Sequence, residues 1–268
     1  MDKRRILFVT QEIEPYTMLT EISALLKNLT AQTHKSSFEI RILMPRFGTI
    51  NERRHRLHEV VRLSGMNIII DDDDFPLIIK VASLPDSRIQ VYFLDNEEFF
   101  KRKFMFKNEN GDFFPDNDSR MVFFCKGVLE TVKKFGWAPD IIHVHGWMSS
   151  MVPLYLKKVY KEDPIYKHAI VIYSVYNTCC EMELSSNFID KAMINDLEPE
   201  DLKDYFEDDK ISLDKGAIHY ADAVIEGTKM EGVNYASLAE ELGKPYLAYE
   251  EESVVKDTIS FYKSLLED

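Results

Sequence analysis

Short apolar, β-rich runs alternate with amphipathic helical stretches along almost the whole chain, and few folds accommodate that alternation. The first run, residues 5–10, carries Ile6, Leu7, Phe8 and Val9 without a polar break. A strand buried on both faces of a parallel sheet reads this way. A loop through Pro15 leads to a helical pattern over residues 19–32, with Leu19, Ile22, Leu25, Leu26 and Leu29 on one stripe. Residues 38–44 predict a second strand, stopped by Pro45. Together these make a βαβ unit, whose crossover is right-handed.

Four strand-like runs follow with no helix between them, at residues 59–63, 67–70, 77–83 and 89–94. They predict an antiparallel β insertion over about residues 56–95. Beyond it the alternation resumes. Helices are expected over 118–135, 149–160, 212–220, 234–242 and 253–266, and strands over 140–144, 169–175, 223–225 and 245–249. The acidic stretch 185–209 reads as short helices and loop. The pattern predicts an α/β fold: a doubly wound, Rossmann-like parallel sheet carrying the insertion. No linker and no internal repeat divides it, so residues 1–268 are expected to form one domain.

Composition excludes several classes. The 268 residues carry a formal net charge of -13, which repels phosphate backbones and argues against nucleic acid as a partner. Arg53, Arg54, His55 and Arg56 are the densest local exception. No apolar run is long enough to span a bilayer, and the run 6–9 is too short for a signal-peptide core, so a cytoplasmic protein is expected. The three cysteines, Cys125, Cys179 and Cys180, have no CxxC spacing and read as buried thiols. Asp71 to Asp74 lack the alternating spacing and the glycine of a calcium loop, and read as a solvated turn. There is no GxGxxG, GxxxxGK[ST], HExxH or GxSxG. We therefore expect no cofactor and no metal.

Ligands of a doubly wound sheet bind beyond the carboxyl ends of its strands. His145 and Trp147 lie at such an end, in the run Pro139-Asp-Ile-Ile-His-Val-His-Gly-Trp147, and line a sugar or nucleotide pocket, unless His143 and His145 serve as satisfied core or rim polar groups. His143 projects to the same face as His145. Glu12 and Glu14 follow the first strand. Paired carboxylates do acid–base work only where their environments separate their affinities for protons, and surface-loop carboxylates are the plainer reading. Phe99, Phe100, Phe104, Phe106, Phe113 and Phe114 interleave with Lys101, Arg102, Lys103 and Lys107. This stretch reads equally as a binding surface and as packing of the insertion.

Several segments, taken in order, resemble the bacterial glycogen/starch synthases, a retaining family that uses ADP-glucose. They are Arg5-Ile-Leu-Phe-Val-Thr-Gln-Glu-Ile-Glu-Pro15, Arg41-Ile-Leu-Met-Pro-Arg-Phe-Gly48, Phe113-Phe-Pro-Asp-Asn-Asp-Ser-Arg120 leading into Phe123-Phe124, residues 139–156, and Ile211-Ser-Leu-Asp-Lys-Gly-Ala-Ile-His-Tyr-Ala-Asp222. The resemblance covers most of residues 5–225 and implies the N-terminal half of a GT-B fold. It also implies ADP-glucose and an α-glucan as the molecules that a surviving pocket would meet. Glu12, His145, Trp147 and Asn177 are its candidate ligand-binding residues.

The departures lie at functional positions. Where the family has a Lys-x-Gly-Gly phosphate loop followed by an aspartate, this chain has Met18, Thr20, Glu21 and Ala24. The aspartate of the family's HAHDW run is Gly146, and the histidine of its VHN run, which contacts the transferred glucose, is Tyr176; Asn177 remains. The family's C-terminal nucleotide-binding domain is not matched by any segment here. The expectation is a non-catalytic synthase-like domain with a binding or regulatory role in glucan metabolism. Its rivals are one half of a split glucosyltransferase completed by another chain, and a module that binds a protein partner, either a second copy or a full-length synthase.

Overall fold

The computed structural model describes residues 3–85, 87–177, 185–195, 197–207 and 210–267. The first elements are β1 (Arg5–Thr10), α1 (Glu21–Lys35) and β2 (Glu39–Pro45), then the short helix α2 (Glu52–His55) and three strands, β3 (His58–Glu59), β4 (Met66–Ile70) and β5 (Asp73–Ser83). β6 (Gln90–Asp95), α3 (Glu97–Phe100), α4 (Asn117–Phe135), β7 (Ile141–His145), α5 (Val152–Lys158) and β8 (Ile170–Val175) follow. The chain then passes α6 (Phe188–Ala192), the small pair β9 (Phe206–Glu207) and β10 (Lys210–Ile211), and α7 (Leu213–Tyr220). β11 (Ala223–Glu226), α8 (Tyr235–Glu241), β12 (Tyr246–Leu247) and α9 (Val254–Glu267) complete it.

The main sheet runs β12-β11-β8-β7-β1-β2-β6-β5-β3, with β4 attached to β5. Every pairing from β12 across to β6 is parallel. The pairings of β5 with β6, β3 and β4 are antiparallel. α1 and α9 cover the face that carries Phe8 and His143, while α4 covers the opposite face, where Phe135 packs on Tyr92 and Gly127 lies against Leu94. This is the doubly wound arrangement, and it sets the strand carboxyl ends side by side along one edge.

Several expectations need correction. The run 89–94 is not part of the antiparallel excursion: β6 lies parallel to β2 inside the main sheet, and the excursion is β3 to β5. Five of its six residues are fully enclosed, and such a run reads alike in either direction. The expected strand 59–63 shrinks to β3, and Leu63 packs from a turn. The helix expected from Leu19 begins at Glu21, because Thr20 caps it: the Thr20 hydroxyl accepts the Ile22 N–H at 3.2 Å. Ile22, Leu26 and Leu29 form the buried stripe, and Leu19 stays outside. The expected helix 149–160 resolves into a 3₁₀ turn, Trp147–Ser149, and α5, with Pro153 in its first turn. Asp71 to Asp74 are exposed, and their second half opens β5. Arg53, Arg54 and Arg56 are exposed on and just after α2. Cys125 is buried, and Cys179 and Cys180 lie outside the described residues.

Hydrophobic side chains from both faces of the sheet join in one core, where each enclosed Leu, Ile or Phe contributes about 1.5–3 kcal/mol. Among the described residues, the charged groups Arg46, Lys80, Asp95 and Arg120 enter that core with partners. Arg46 and Lys80 both contact Asp95 at the end of β6, at 3.0 and 2.9 Å. The enclosed Arg120 guanidinium donates to the Phe99 carbonyl and to Asn117, and lies over the rings of Phe47, Phe100 and Phe114.

Candidate functional site

At the carboxyl end of β1 the chain turns inward. Glu12 is fully buried; its Oε2 accepts the Leu19 and Thr20 N–H groups at 2.9 Å each, and its Oε1 accepts the Thr20 hydroxyl at 2.6 Å. The carboxylate therefore sits just ahead of the N-terminus of α1, a position that favours an anion. Two backbone donors at the head of α1 are thereby satisfied from within the fold. The side chains above them point out: Met18 is 71% exposed and Leu19 56%. Glu21 and Ala24 are exposed on α1, Ala24 beside the groove between α1 and α9. Glu14 pairs with Lys27 at 2.9 Å and takes no part in a carboxylate pair with Glu12.

The end of β7 is closed as well. The rings of His143 and His145 lie 3.8 Å apart, centroid to centroid, tilted by 46°, and neither reaches the surface. His143 pairs through Nδ1 with the Tyr262 hydroxyl of α9 at 2.5 Å and through Nε2 with Ser174 at 2.7 Å. His145 pairs through Nδ1 with the Tyr176 hydroxyl at 2.6 Å, and its ring stacks on Phe8. Burial holds both imidazoles neutral: it pushes His145 down to about 3, and it pushes His143 well below the ordinary range with help from the neighbouring His145. Burial also drives the Tyr176 hydroxyl up, so it stays protonated. The Tyr176 ring lies on Gly227, where an added Cβ would come within 2.2 Å of it.

Gly146 has φ +79°, and a Cβ there would meet the Gln11 side-chain amide oxygen at 2.6 Å. That oxygen accepts the Met148 N–H at 3.2 Å. The backbone at 146 is thus one that only glycine adopts without strain, with Gln11 laid over it. Asn177 is exposed, and its N–H donates to Thr228 Oγ1 at 2.9 Å.

Beside these closed ends lies an open cleft of about 520 Å³. Leu19 and Thr20 supply one wall and Trp147 another, and the segment 103–108 with Phe113, Gln11 and Thr49 forms the rest. The aromatic stretch of the sequence is divided here. Phe99, Phe100 and Phe106 are core, whereas Phe104 is 45% exposed in the cleft and Phe113 carries the Lys107 ammonium 4.4 Å above its ring. Trp147 meets Phe106 edge-on at 4.9 Å. Among the predicted site residues, then, Trp147 and Thr20 reach the cleft, while Glu12, His145 and Tyr176 are enclosed beside it. Sequence reasoning missed Gln11, and it assigned Leu19 to the helix stripe because the period runs on through the cap. Among the described residues no three His, Cys, Asp or Glu side chains gather as metal ligands, and no helix is long and apolar enough to cross a membrane.

The starch synthase catalytic domain model matches residues 5–229. The chain is 38% identical to the glycogen synthase of Chlorobium limicola over 174 residues, which covers 65% of this chain and 36% of that enzyme. It is 32% identical to the glycogen synthase of Chlorobaculum parvum over 225 residues, covering 82% and 45%. The chain thus spans less than half the length of these relatives. Among solved structures it superposes on the catalytic domain of starch synthase IV from Arabidopsis thaliana, bound to ADP and acarbose, with a TM-score of 0.76 at 17% identity over 92% of this chain and 51% of that one.

Proposed function

The chain belongs to the starch synthase catalytic domain family, and from that premise we propose that it is a non-catalytic member with a binding or regulatory role in glucan metabolism. The observation that carries this reading is the loop after β1. At the positions of the family's phosphate-binding lysine and glycines stand Met18, Thr20 and Glu21. The two N–H groups that face inward there are taken by Glu12, and the surface above is Met18 and Leu19.

A diphosphate brought to this loop meets the charges of Glu12 and Glu21 and no lysine at position 18. Two unit charges 4 Å apart repel by about 4 kcal/mol at an effective dielectric constant of 20, which is enough to abolish useful affinity. The position of the glucose-contacting histidine holds Tyr176, whose hydroxyl is tied to His145 inside the fold. Gly146 supplies no carboxylate, and its backbone conformation opposes one. Preorganised charge supplies most of the acceleration in reactions that expel a diphosphate, and groups acting as a unit fail together when several are lost.

The test is transfer of labelled glucose from ADP-glucose to maltoheptaose, together with calorimetric titration by ADP-glucose. We expect transfer at the level of the blank and a Kd for ADP-glucose weaker than about 1 mM, roughly -4 kcal/mol. Turnover near the ordinary enzyme range of about 1–1,000 s⁻¹ would overturn the reading. Transfer that appears only on adding a separate C-terminal synthase domain would replace it with the split enzyme.

A further inference from the structure

We infer that the cleft beside Trp147 docks an acidic, amphipathic segment of a partner protein, an inference that rests on the loss of nucleotide-sugar chemistry and names what the same site takes instead. Three of the six large hydrophobic side chains exposed among the described residues, Met18, Leu19 and Phe104, lie in or next to this one cleft. Phe113 and Trp147 line the same cleft, and apolar side chains gathered on a surface are the usual sign of a face that meets another protein.

The polar groups of the cleft argue against a sugar. Carbohydrate hydroxyls need several convergent donors and acceptors, and the acceptors at Gln11, Thr20 and Asn108 are already engaged. The Gln11 oxygen accepts from Met148, the Thr20 hydroxyl donates to Glu12, and Asn108 bonds Asp112 and the N–H groups of 110 and 112. The charged groups of the cleft are cationic. Lys103 and Lys107 line the cleft, no Asp or Glu does, and neither lysine forms an ion pair among the described residues.

This positive rim belongs to a chain whose net charge is -13, so it stands out against its own surface. Charge complementarity therefore selects an occupant with carboxylates flanking one or two large apolar side chains. It disfavours a second copy docked cleft to cleft, because the two-fold axis would set Lys103 and Lys107 against their own equivalents.

The probe is a fluorescein-labelled amphipathic peptide of about four helical turns, with Leu and Phe along one stripe and Glu elsewhere. Its binding to the intact chain is read by fluorescence anisotropy. We expect a Kd on the order of 10 μM, weakened about tenfold or more by Phe104→Ser and by the pair Lys103→Glu with Lys107→Glu. Added salt should weaken it as well. A matched peptide with Lys in place of Glu should not bind. All substituted positions are exposed, and circular dichroism confirms that the variants fold.

Equal binding of the two peptides, or of neither, overturns the inference. Displacement of the peptide by maltoheptaose overturns it in favour of a glucan site. A dimer seen in sedimentation and dissolved by Phe104→Ser overturns it in favour of a second copy. The glucose-transfer assay is independent of all these outcomes, so loss of catalysis stands or falls separately.

Discussion

Two segments at the same end of the sheet treat their polar groups in opposite ways. The loop after β1 and the ends of β7 and β8 turn theirs inward: Glu12 onto the backbone of Leu19 and Thr20, His143 onto Tyr262 and Ser174, and His145 onto Tyr176. The segment 103–113 leaves its lysines and Phe104 facing out. Both contain residue types that suit a ligand site. Availability is decided by where the donors are spent, and composition alone does not reveal that.

Acidification should break the closed region hardest. An unfolded histidine binds its proton near pH 6.5, whereas folded His145 waits until about 3 and His143 is also held well below its ordinary range. The unfolded state therefore gains protons that the folded state refuses. Their contribution to stability is complete above about pH 6.5 and is lost as pH falls, at about 1.4 kcal/mol per pH unit for each histidine. Urea unfolding between pH 7 and 4.5 should show this slope reduced by about one histidine's share in His145→Gln. An unchanged slope would mean that the imidazole is not enclosed.

Gly146→Ala tests the same region from the backbone. The positive φ and the contact with Gln11 should together cost about 2 kcal/mol, and Gln11→Ala in the same chain should recover only the part due to the contact. Full recovery would show that the backbone carries no strain. The open region should barely respond: Leu19→Ser and Phe104→Ser are each expected to change stability by less than about 0.5 kcal/mol in the same assay. A loss of several kcal/mol at Phe104 would place it in the core with Phe106 and remove the contrast.

The parallel frame was legible because strand and helix periods differ and the runs are long. The direction of β6 was not, since a strand enclosed on both faces carries no polar face to orient it. The cap at Thr20 was hidden for a related reason: the apolar period continues through Leu19, and the hydroxyl that caps the helix is held by Glu12, eight residues earlier. The histidine pair was visible as a shared face of β7, but its enclosure depends on Tyr262, 119 residues away from His143. The division of the aromatic stretch left no local trace either. Phe104 and Phe106 share a side of the chain by spacing and part only on the tertiary surface.

The Tyr262 ring also lies against Phe8 and Phe38, so the helix that closes the first strands is encoded more than two hundred residues after them. At about 5–20 residues per second of synthesis, β1 waits on the order of ten seconds or more with the α9 share of that face uncovered. During this interval the nascent chain offers a chaperone, or another nascent chain, the surface that α9 later covers.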